Sequence, residues 1–452
     1  MTPVIMWFRR DLRFADHPAL AKASRRGPVV ALFVVDPALT GPAGPARLSF
    51  LAQNLADMDA RLRTLGGHLV LRHGRPEDVV PQVVAEAGAT EVHVSADFAP
   101  YGAARDERVA AALAPVPLVA TGSPYAVSPP RLTTTTGTPY KVFTPYFRAW
   151  RSHGWPDPAD SDPDTVTWAG LRSDPLWEPA TLLPDTVLPV AGEDAARQTW
   201  ARFRAEGLDD YATARDRPDL DGTSGLSPYL RFGALHPRTL LAELGDKGER
   251  FMSELAWREF YGSVLWHWPE SARADFDARM SAMPVDEGPD ADALFAAWCD
   301  GRTGYPIIDA GMRQLKARAW MHNRVRMLTA SFLVKDLHLD WRRGARHFMR
   351  HLVDGDLASN QHGWQWTAGT GTDASPYFRI FNPVTQAKRF DPEGAYVRRW
   401  VPELADVQGR FVHEPWRAPD GVPADYVTPI VDHDVERRHS LAAYEALRRP
   451  GR

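Results

Sequence analysis

Short apolar runs alternate with amphipathic stretches over the first quarter of the chain. Residues 4–8, 29–35, 68–71 and 91–94 are such runs. A run that is apolar at every position predicts a strand covered on both faces, as in a parallel sheet. Residues 49–65 and 76–87 carry the helical period instead and predict the helices between strands. The pattern is that of an α/β doubly wound, Rossmann-like parallel sheet domain. After the first strand stands Arg9-Arg10-Asp11-Leu12-Arg13, with no glycine-rich phosphate loop. Ordinary nicotinamide-dinucleotide binding is therefore not expected there, and Asp36 is a weak ribose-binding acid without those glycines. Prolines then cluster between Pro124 and Pro189, around a Thr133–Thr136 run. They predict a connector wrapped on the surface. From Gly192 onward the helical period dominates. The expected organisation is an α/β domain over 1–125, an interdomain linker over 126–191 and an all-α domain over 192–452.

Composition narrows the function classes. With 452 residues and 44% hydrophobic content, a large core in two or more domains is possible. No run of eighteen apolar residues occurs, and the arginines follow the first apolar run, the wrong order for a secretory signal. The one cysteine, Cys299, excludes an intramolecular disulfide and suits a reducing cytoplasm. The net charge of −4 argues against indiscriminate polyanion binding. Yet residues 313–351 hold ten Arg/Lys against Asp336 and Asp340 only, a local basic patch. That stretch runs into an aromatic, small-residue segment with Trp364 and Trp366, in a chain of sixteen tryptophans.

Four constellations carry candidate chemistry, each beside a plainer reading. Thr223-Ser224-Gly225-Leu226-Ser227 precedes a predicted helix and is either a helix cap, which the sequence alone favours, or a loop for phosphate oxygens. Residues 251–261 predict a helix with Glu254, Trp257, Arg258 and Tyr261 on one face. This is either an ion pair beside core aromatics or a carboxylate and an indole gripping a planar base. Residues 320–327 predict another helix, with Asn323 and Met327 on one face and Arg324 pointing elsewhere; Arg326 is expected to pair with Asp354. Asp354-Gly355-Asp356 reads as a tight turn without a fuller calcium loop. His347 and His351 lack the acid of a zinc motif and read as structural, so no metal is expected. Asp97 to Arg105 is either a surface turn before a helix or a ligand contact.

These stretches resemble the photolyase/cryptochrome family. The residues that carry the likeness are Trp320–Arg324, Ser331–Lys335, Asp354–Asp356, Gly363–Trp366 and Phe381–Pro383, with further matches upstream over nearly the whole chain. The resemblance is strongest to class I cyclobutane pyrimidine dimer photolyases. It implies light-driven repair of DNA by electron transfer from reduced FAD to a flipped-out dimer. FAD contacts are implied at Tyr211, Thr223, Ser224, Gly225, Leu226, Ser227, Phe251, Arg258, Asn323, Arg326, Asp354, Gly355, Asp356 and Asn360. Glu254, Trp257, Asn323, Met327 and Trp366 would form the dimer site. Arg215, Arg324, Arg379 and Gln386, with Glu254 and Trp257, would face DNA. Trp364 and Trp341 match an electron chain whose outermost tryptophan is missing between Val285 and Pro289, with Trp298 or Tyr305 as substitutes. Gln361-His362 departs from the Asn-Gly of many relatives. Asp36, Arg47, Asp97 and Arg105 are the implied antenna contacts, for an 8-hydroxy-5-deazaflavin-type chromophore ahead of folate or FMN. A monomer in the cytoplasm, without membrane association, is expected. The alternative is a cryptochrome-like blue-light photoreceptor without repair activity; a nicotinamide-linked flavin oxidoreductase would need the absent glycine loop.

Overall fold

The computed structural model describes residues 2–176, 186–245, 248–373 and 378–448. Five parallel strands, β1 Val4–Phe8, β2 Val29–Val35, β3 Val70–His73, β4 Val92–Val94 and β5 Leu118–Ala120, lie in the order β3-β2-β1-β4-β5. Every residue of β1 and β2 is buried. The reason is visible in the packing. Val4, Met6, Phe8, Phe33 and Val35 turn to one face, against Phe50, Leu55 and Met58. Ile5, Trp7, Val30, Leu32 and Val34 turn to the other, against Val79, Val80, Val83 and Val109. Two covered faces require an apolar residue at every position, hence the unbroken runs.

The Pro76–Ala87 helix has the bounds read from the sequence. The preceding helix starts earlier, at Pro45, and spans Pro45–Thr64. The third strand lies two residues later than 68–71, because its register is set by pairing Leu32–Val35 with Val70–His73. The proline-rich connector holds two elements the sequence hid: the Phe143–His153 helix and a short strand, β6 Trp168–Ala169, which pairs with Val29 and Val30. β6 and β3 thus share one edge of β2, end to end. Beyond β6 the described residues contain helices and no further strand. None of those helices is long and apolar enough to cross a membrane.

The sheet and the helices share a core. Strand residues Met6 and Phe8 belong to the same buried cluster as Tyr211, Phe251 and Phe260. Polar contacts fix the alignment. Arg10 donates to Asp356 at 2.6 Å, Arg238 to Asp16 at 2.5 Å, and the amide of Leu12 to the carbonyl of Phe232 at 3.2 Å. Gly233, at φ +69°, lies so close to this seam that a Cβ would sit 2.0 Å from the Arg10 carbonyl oxygen. The connector is clamped by Glu259, whose buried carboxylate accepts from Ala126 N (2.5 Å), Val127 N (3.0 Å) and Trp150 Nε1 (2.7 Å).

Candidate functional site

A cavity of about 530 Å³ opens among the helices. Its volume lies within the range of small-molecule and cofactor sites. The Glu249–His267 helix forms one wall and presents Glu254, Trp257, Arg258 and Tyr261 to it together. Trp257 is held from behind by the connector: its ring stacks on Phe143, with centroids 3.8 Å apart and planes at 8°. The Arg258 guanidinium donates to the carbonyls of Pro124 (2.9 Å) and Leu230 (3.2 Å). Glu254 accepts from Arg215, which is nearly buried, and pairs with Arg250 at 3.3 Å. Arg215 therefore lies in the cavity wall, its guanidinium engaged by Glu254, where the resemblance implied a DNA-facing arginine.

The opposite side is a cradle of small and charged groups. Thr223–Ser227 turns through Gly225, whose φ of +65° suits glycine, and enters the short Ser227–Phe232 helix. Ser227 Oγ donates to Asp354 Oδ2 at 2.6 Å, and Arg326 donates to the same oxygen at 2.8 Å, as the sequence anticipated. The other oxygen, Asp354 Oδ1, is buried without a hydrogen-bond partner among the described residues. Asp356 caps the Leu357–Ala368 helix through Ser359 N and takes Arg10 on its second oxygen. Burial alone would raise the Asp356 carboxyl, but Arg10, Arg231 and Arg258 outweigh it and hold that group well below the usual carboxylate range. Asn360 lines the cavity, its side-chain amide donating to Ala345 O and Gln361 Oε1.

The Asn323–Lys335 helix points its first turn at the cavity. Asn323, Arg324, Arg326 and Met327 all line it. The expectation that Arg324 points elsewhere fails, because side chains at a helix tip fan around the axis; Arg324 pairs with Asp216 at 2.9 Å and covers the Phe390 ring. Tyr211, Phe251, Gly355, Trp364 and Trp366 complete the expected set on the lining. The sequence reading missed Arg231, Arg250, Trp320 and Ser359 there. Trp320 adjoins a motif that was read, and its N–H reaches Ser227 Oγ at 3.3 Å. Arg379, exposed above Phe381, and Gln386, half-buried on the Pro383–Phe390 helix, do not line the cavity.

Trp298 and Tyr305 do not take the outermost place open to them in the electron chain. Trp364 touches Trp298 edge-on, with centroids 6.1 Å apart, and Trp298 is fully buried with its N–H on Thr329 O. Trp298 therefore branches from Trp364 into the core and cannot be the outermost ring. Tyr305 is also buried, against Phe332 and Trp416. The partners of Trp341 are Asp275, which accepts its N–H at 2.8 Å, and Arg342, which covers its face.

A second group gathers at the carboxyl ends of the strands, beside the β1/β4 switch point where open α/β sheets bind ligands. Asp36 follows β2 and accepts from Tyr101; Asp97 follows β4 and pairs with Arg105 at 3.4 Å. Gly102 allows this: a Cβ there would lie 2.1 Å from the Asp97 carboxylate. Arg9 and Arg105 cover the Trp7 ring. Arg47 does not join them. Its helix packs on the Trp341–His351 helix, so its guanidinium reaches Gly355 O (3.4 Å) and Met349 Sδ (3.8 Å), behind the Asp354–Asp356 turn.

Similarity to known proteins agrees with this geometry. Residues 4–164 match the family described as DNA photolyase, and residues 251–446 match the FAD binding domain of DNA photolyase. The chain is 43% identical to the deoxyribodipyrimidine photo-lyase of Streptomyces griseus, over 96% of this chain and 97% of the relative. To the enzyme of that name from Escherichia coli (strain K12) it is 39% identical, over 99% and 100%. Among solved structures, a bacterial class III photolyase from Agrobacterium tumefaciens superposes with a TM-score of 0.93 at 37% identity, covering 100% of this chain and 98% of that one. An archaeal photolyase from Sulfolobus tokodaii, solved with two FAD molecules, gives 0.84 at 28%, covering 98% and 100%. With two family models and full-length relatives in agreement, this chain belongs to the DNA photolyase family.

Proposed function

We infer that the protein repairs DNA by splitting cyclobutane pyrimidine dimers under light, with FAD in the cavity. One observation carries this reading. Glu254, Trp257, Asn323, Met327 and Trp366 border the same cavity as the Thr223–Ser227 loop and the Arg326–Asp354 pair. A place for a polar planar base thus adjoins a place for a polyanionic cofactor.

The residues fit FAD. Asp354 Oδ1 is a buried acceptor awaiting a donor, Gly225 leaves backbone approachable, and Arg231, Arg258 and Arg326 supply positive charge around the cradle. We assign Thr223–Ser227 to the pyrophosphate and Asp354, Asp356 and Asn360 to the ring side, with Tyr211 and Phe251 packing beside it. Bound there and reduced, FAD would supply light-driven one-electron chemistry for splitting the two C–C bonds of the dimer. The chain's own part is to receive and hold the lesion. Arg215 and Arg250 both bind Glu254 Oε1, which leaves Oε2 for an imide N–H of the pyrimidine. Trp257 and Trp366 wall the flipped bases, and Met327 packs against them. Extracting a dimer costs a few kcal/mol, less than for a sound pair, and stacking offsets it. Arg324, Arg379 and Gln386 would meet the surrounding DNA.

We assign the strand-end crevice at Asp36, Asp97 and Arg105 to an antenna of the 8-hydroxy-5-deazaflavin type, whose planar ring and hydroxyl suit its mixed charges. Arg47 drops out of that set. The protein would act as a monomer in the cytoplasm. The test is loss of dimers from irradiated DNA under blue light with pre-reduced flavin. Dimers that persist would leave a photoreceptor without repair. Mass spectrometry of the extracted chromophores identifies the antenna.

A further inference from the structure

Away from both sites, one cluster has ligating chemistry that the repair reaction does not use. His338 lies in the turn after the Asn323–Lys335 helix; Glu436 and His439 stand one turn apart on the His433–Arg448 helix. His338 Nε2 and His439 Nδ1 converge on one carboxylate oxygen, Glu436 Oε2, at 2.8 and 3.0 Å. All three ligating atoms lie within 4.8 Å of one another. Two imidazoles and a carboxylate form a donor set that suits zinc, with water in the fourth position.

An ordinary hydrogen-bonded trio would show the same contacts, so the supporting backbone matters. His338 is held at φ +51°, a left-handed conformation uncommon outside glycine, and its carbonyl is fixed by the amide of Asp286 at 2.9 Å. The helix bearing the other two donors is anchored beside it. His433 pairs with the buried Asp336, and Ser440 Oγ donates to Lys335 O at 2.7 Å. Both sides of the cluster are therefore preset before any ion arrives. The side chains of His338, Glu436 and His439 are 20%, 19% and 65% exposed, which gives an ion a path from solvent.

We propose that His338, Glu436 and His439 bind one Zn²⁺, fastening the His433–Arg448 helix to the turn beyond the Asn323–Lys335 helix. Donors around a tetrahedral zinc stand about 3.3 Å apart. The two His–Glu gaps need open by only a few tenths of an ångström, and the exposed His439 has room to move toward His338, whose ligating nitrogen lies within 4.8 Å of its own. Each ring would bind through the lone pair of the nitrogen facing Glu436, with its N–H on the distal nitrogen. His347 and His351 serve as the internal contrast. Their rings are 4.3 Å apart and Cys299 Sγ lies 3.4 Å from His347 Nδ1, but the ligating atoms of Cys299, His347 and His351 do not converge within 4.8 Å of one another.

The test uses the full chain, stripped with chelator and titrated with Zn²⁺ by calorimetry, with elemental analysis after dialysis. Wild type and His347→Ala take up one zinc per chain and melt at higher temperature with it. His439→Ala and Glu436→Gln lose at least about tenfold in zinc affinity and show no such rise. His439 is exposed, so its alanine variant folds, and an unchanged flavin spectrum verifies that for each protein. The proposal is overturned if wild type takes up no zinc, if uptake survives His439→Ala, or if His347→Ala abolishes it.

Discussion

Glu254→Ala tests the lesion site most directly. In the resting structure the carboxylate neutralises Arg215, whose side chain is 9% exposed, while Glu254 itself is 26% exposed. Removing one partner of a fully buried pair costs about 3–5 kcal/mol. Water reaches this acid, so the loss of stability here is about 1–3 kcal/mol. The effect on repair is separate. A hydrogen bond from a pyrimidine N–H to a charged carboxylate contributes about 1.5–3 kcal/mol, so splitting by a pre-reduced sample should slow about 10- to 100-fold. Glu254→Gln keeps a neutral acceptor and should lose only about fivefold. The assay is single-turnover dimer loss on an irradiated oligonucleotide, with the flavin absorption recorded first. Arg215→Ala resolves the remaining ambiguity. If Glu254 served only to neutralise Arg215, the double variant would regain speed; direct contact with the dimer leaves it slow. The reasoning fails if Glu254→Ala splits dimers at the wild-type rate, or if flavin absorption disappears together with activity.

Three further outcomes follow from the packing and the charges. Trp150→Phe removes one of three donors to the buried Glu259 carboxylate, and urea unfolding should show a loss of about 1–3 kcal/mol; an unchanged midpoint would mean the clamp is slack. Gly344→Ala would place a Cβ 2.1 Å from the Trp364 ring, and such overpacking costs about 1–3 kcal/mol. It should slow light-driven reduction of oxidised flavin while sparing repair by pre-reduced enzyme, and equal slowing of both would count against the Trp364 route. Burial pushes the Lys335 ammonium down to about 7 from its ordinary 10.5, with Asp336 pulling the other way. Between those values the unfolded chain binds a proton the folded chain lacks, so stability rises with pH. The gain is roughly 2 kcal/mol from pH 7.5 to 9, and Lys335→Met should flatten it in urea titrations at each pH.

The sheet was legible because burial on both faces admits no polar position, and β1 and β2 show that constraint without interruption. The third strand slipped because an apolar run alone does not fix register; pairing with β2 does. The connector concealed the Phe143–His153 helix because its prolines read as breakers, while the amphipathic Phe143, Tyr146 and Trp150 spacing was the overlooked signal. Most of the cavity was legible through local motifs. What lay hidden depends on contacts between distant positions. Arg47 meets Gly355 across 308 residues, and nothing near Arg47 announces that. The resemblance left Trp298 as a substitute for the missing outermost ring, yet its helix turns it inward. Glu436 and His439 carry a helical spacing in plain view, but only folding brings His338 beside them.

The seam between Gly233 and Arg10 has a consequence for how the molecule melts. Strand residues and flavin-side aromatics occupy one continuous interior there, so each half buries part of its core only against the other. A calorimeter should record a single endotherm for the whole chain. Cutting within residues 126–191 and separating the fragments should yield insoluble pieces, whereas co-expressed fragments should reassemble.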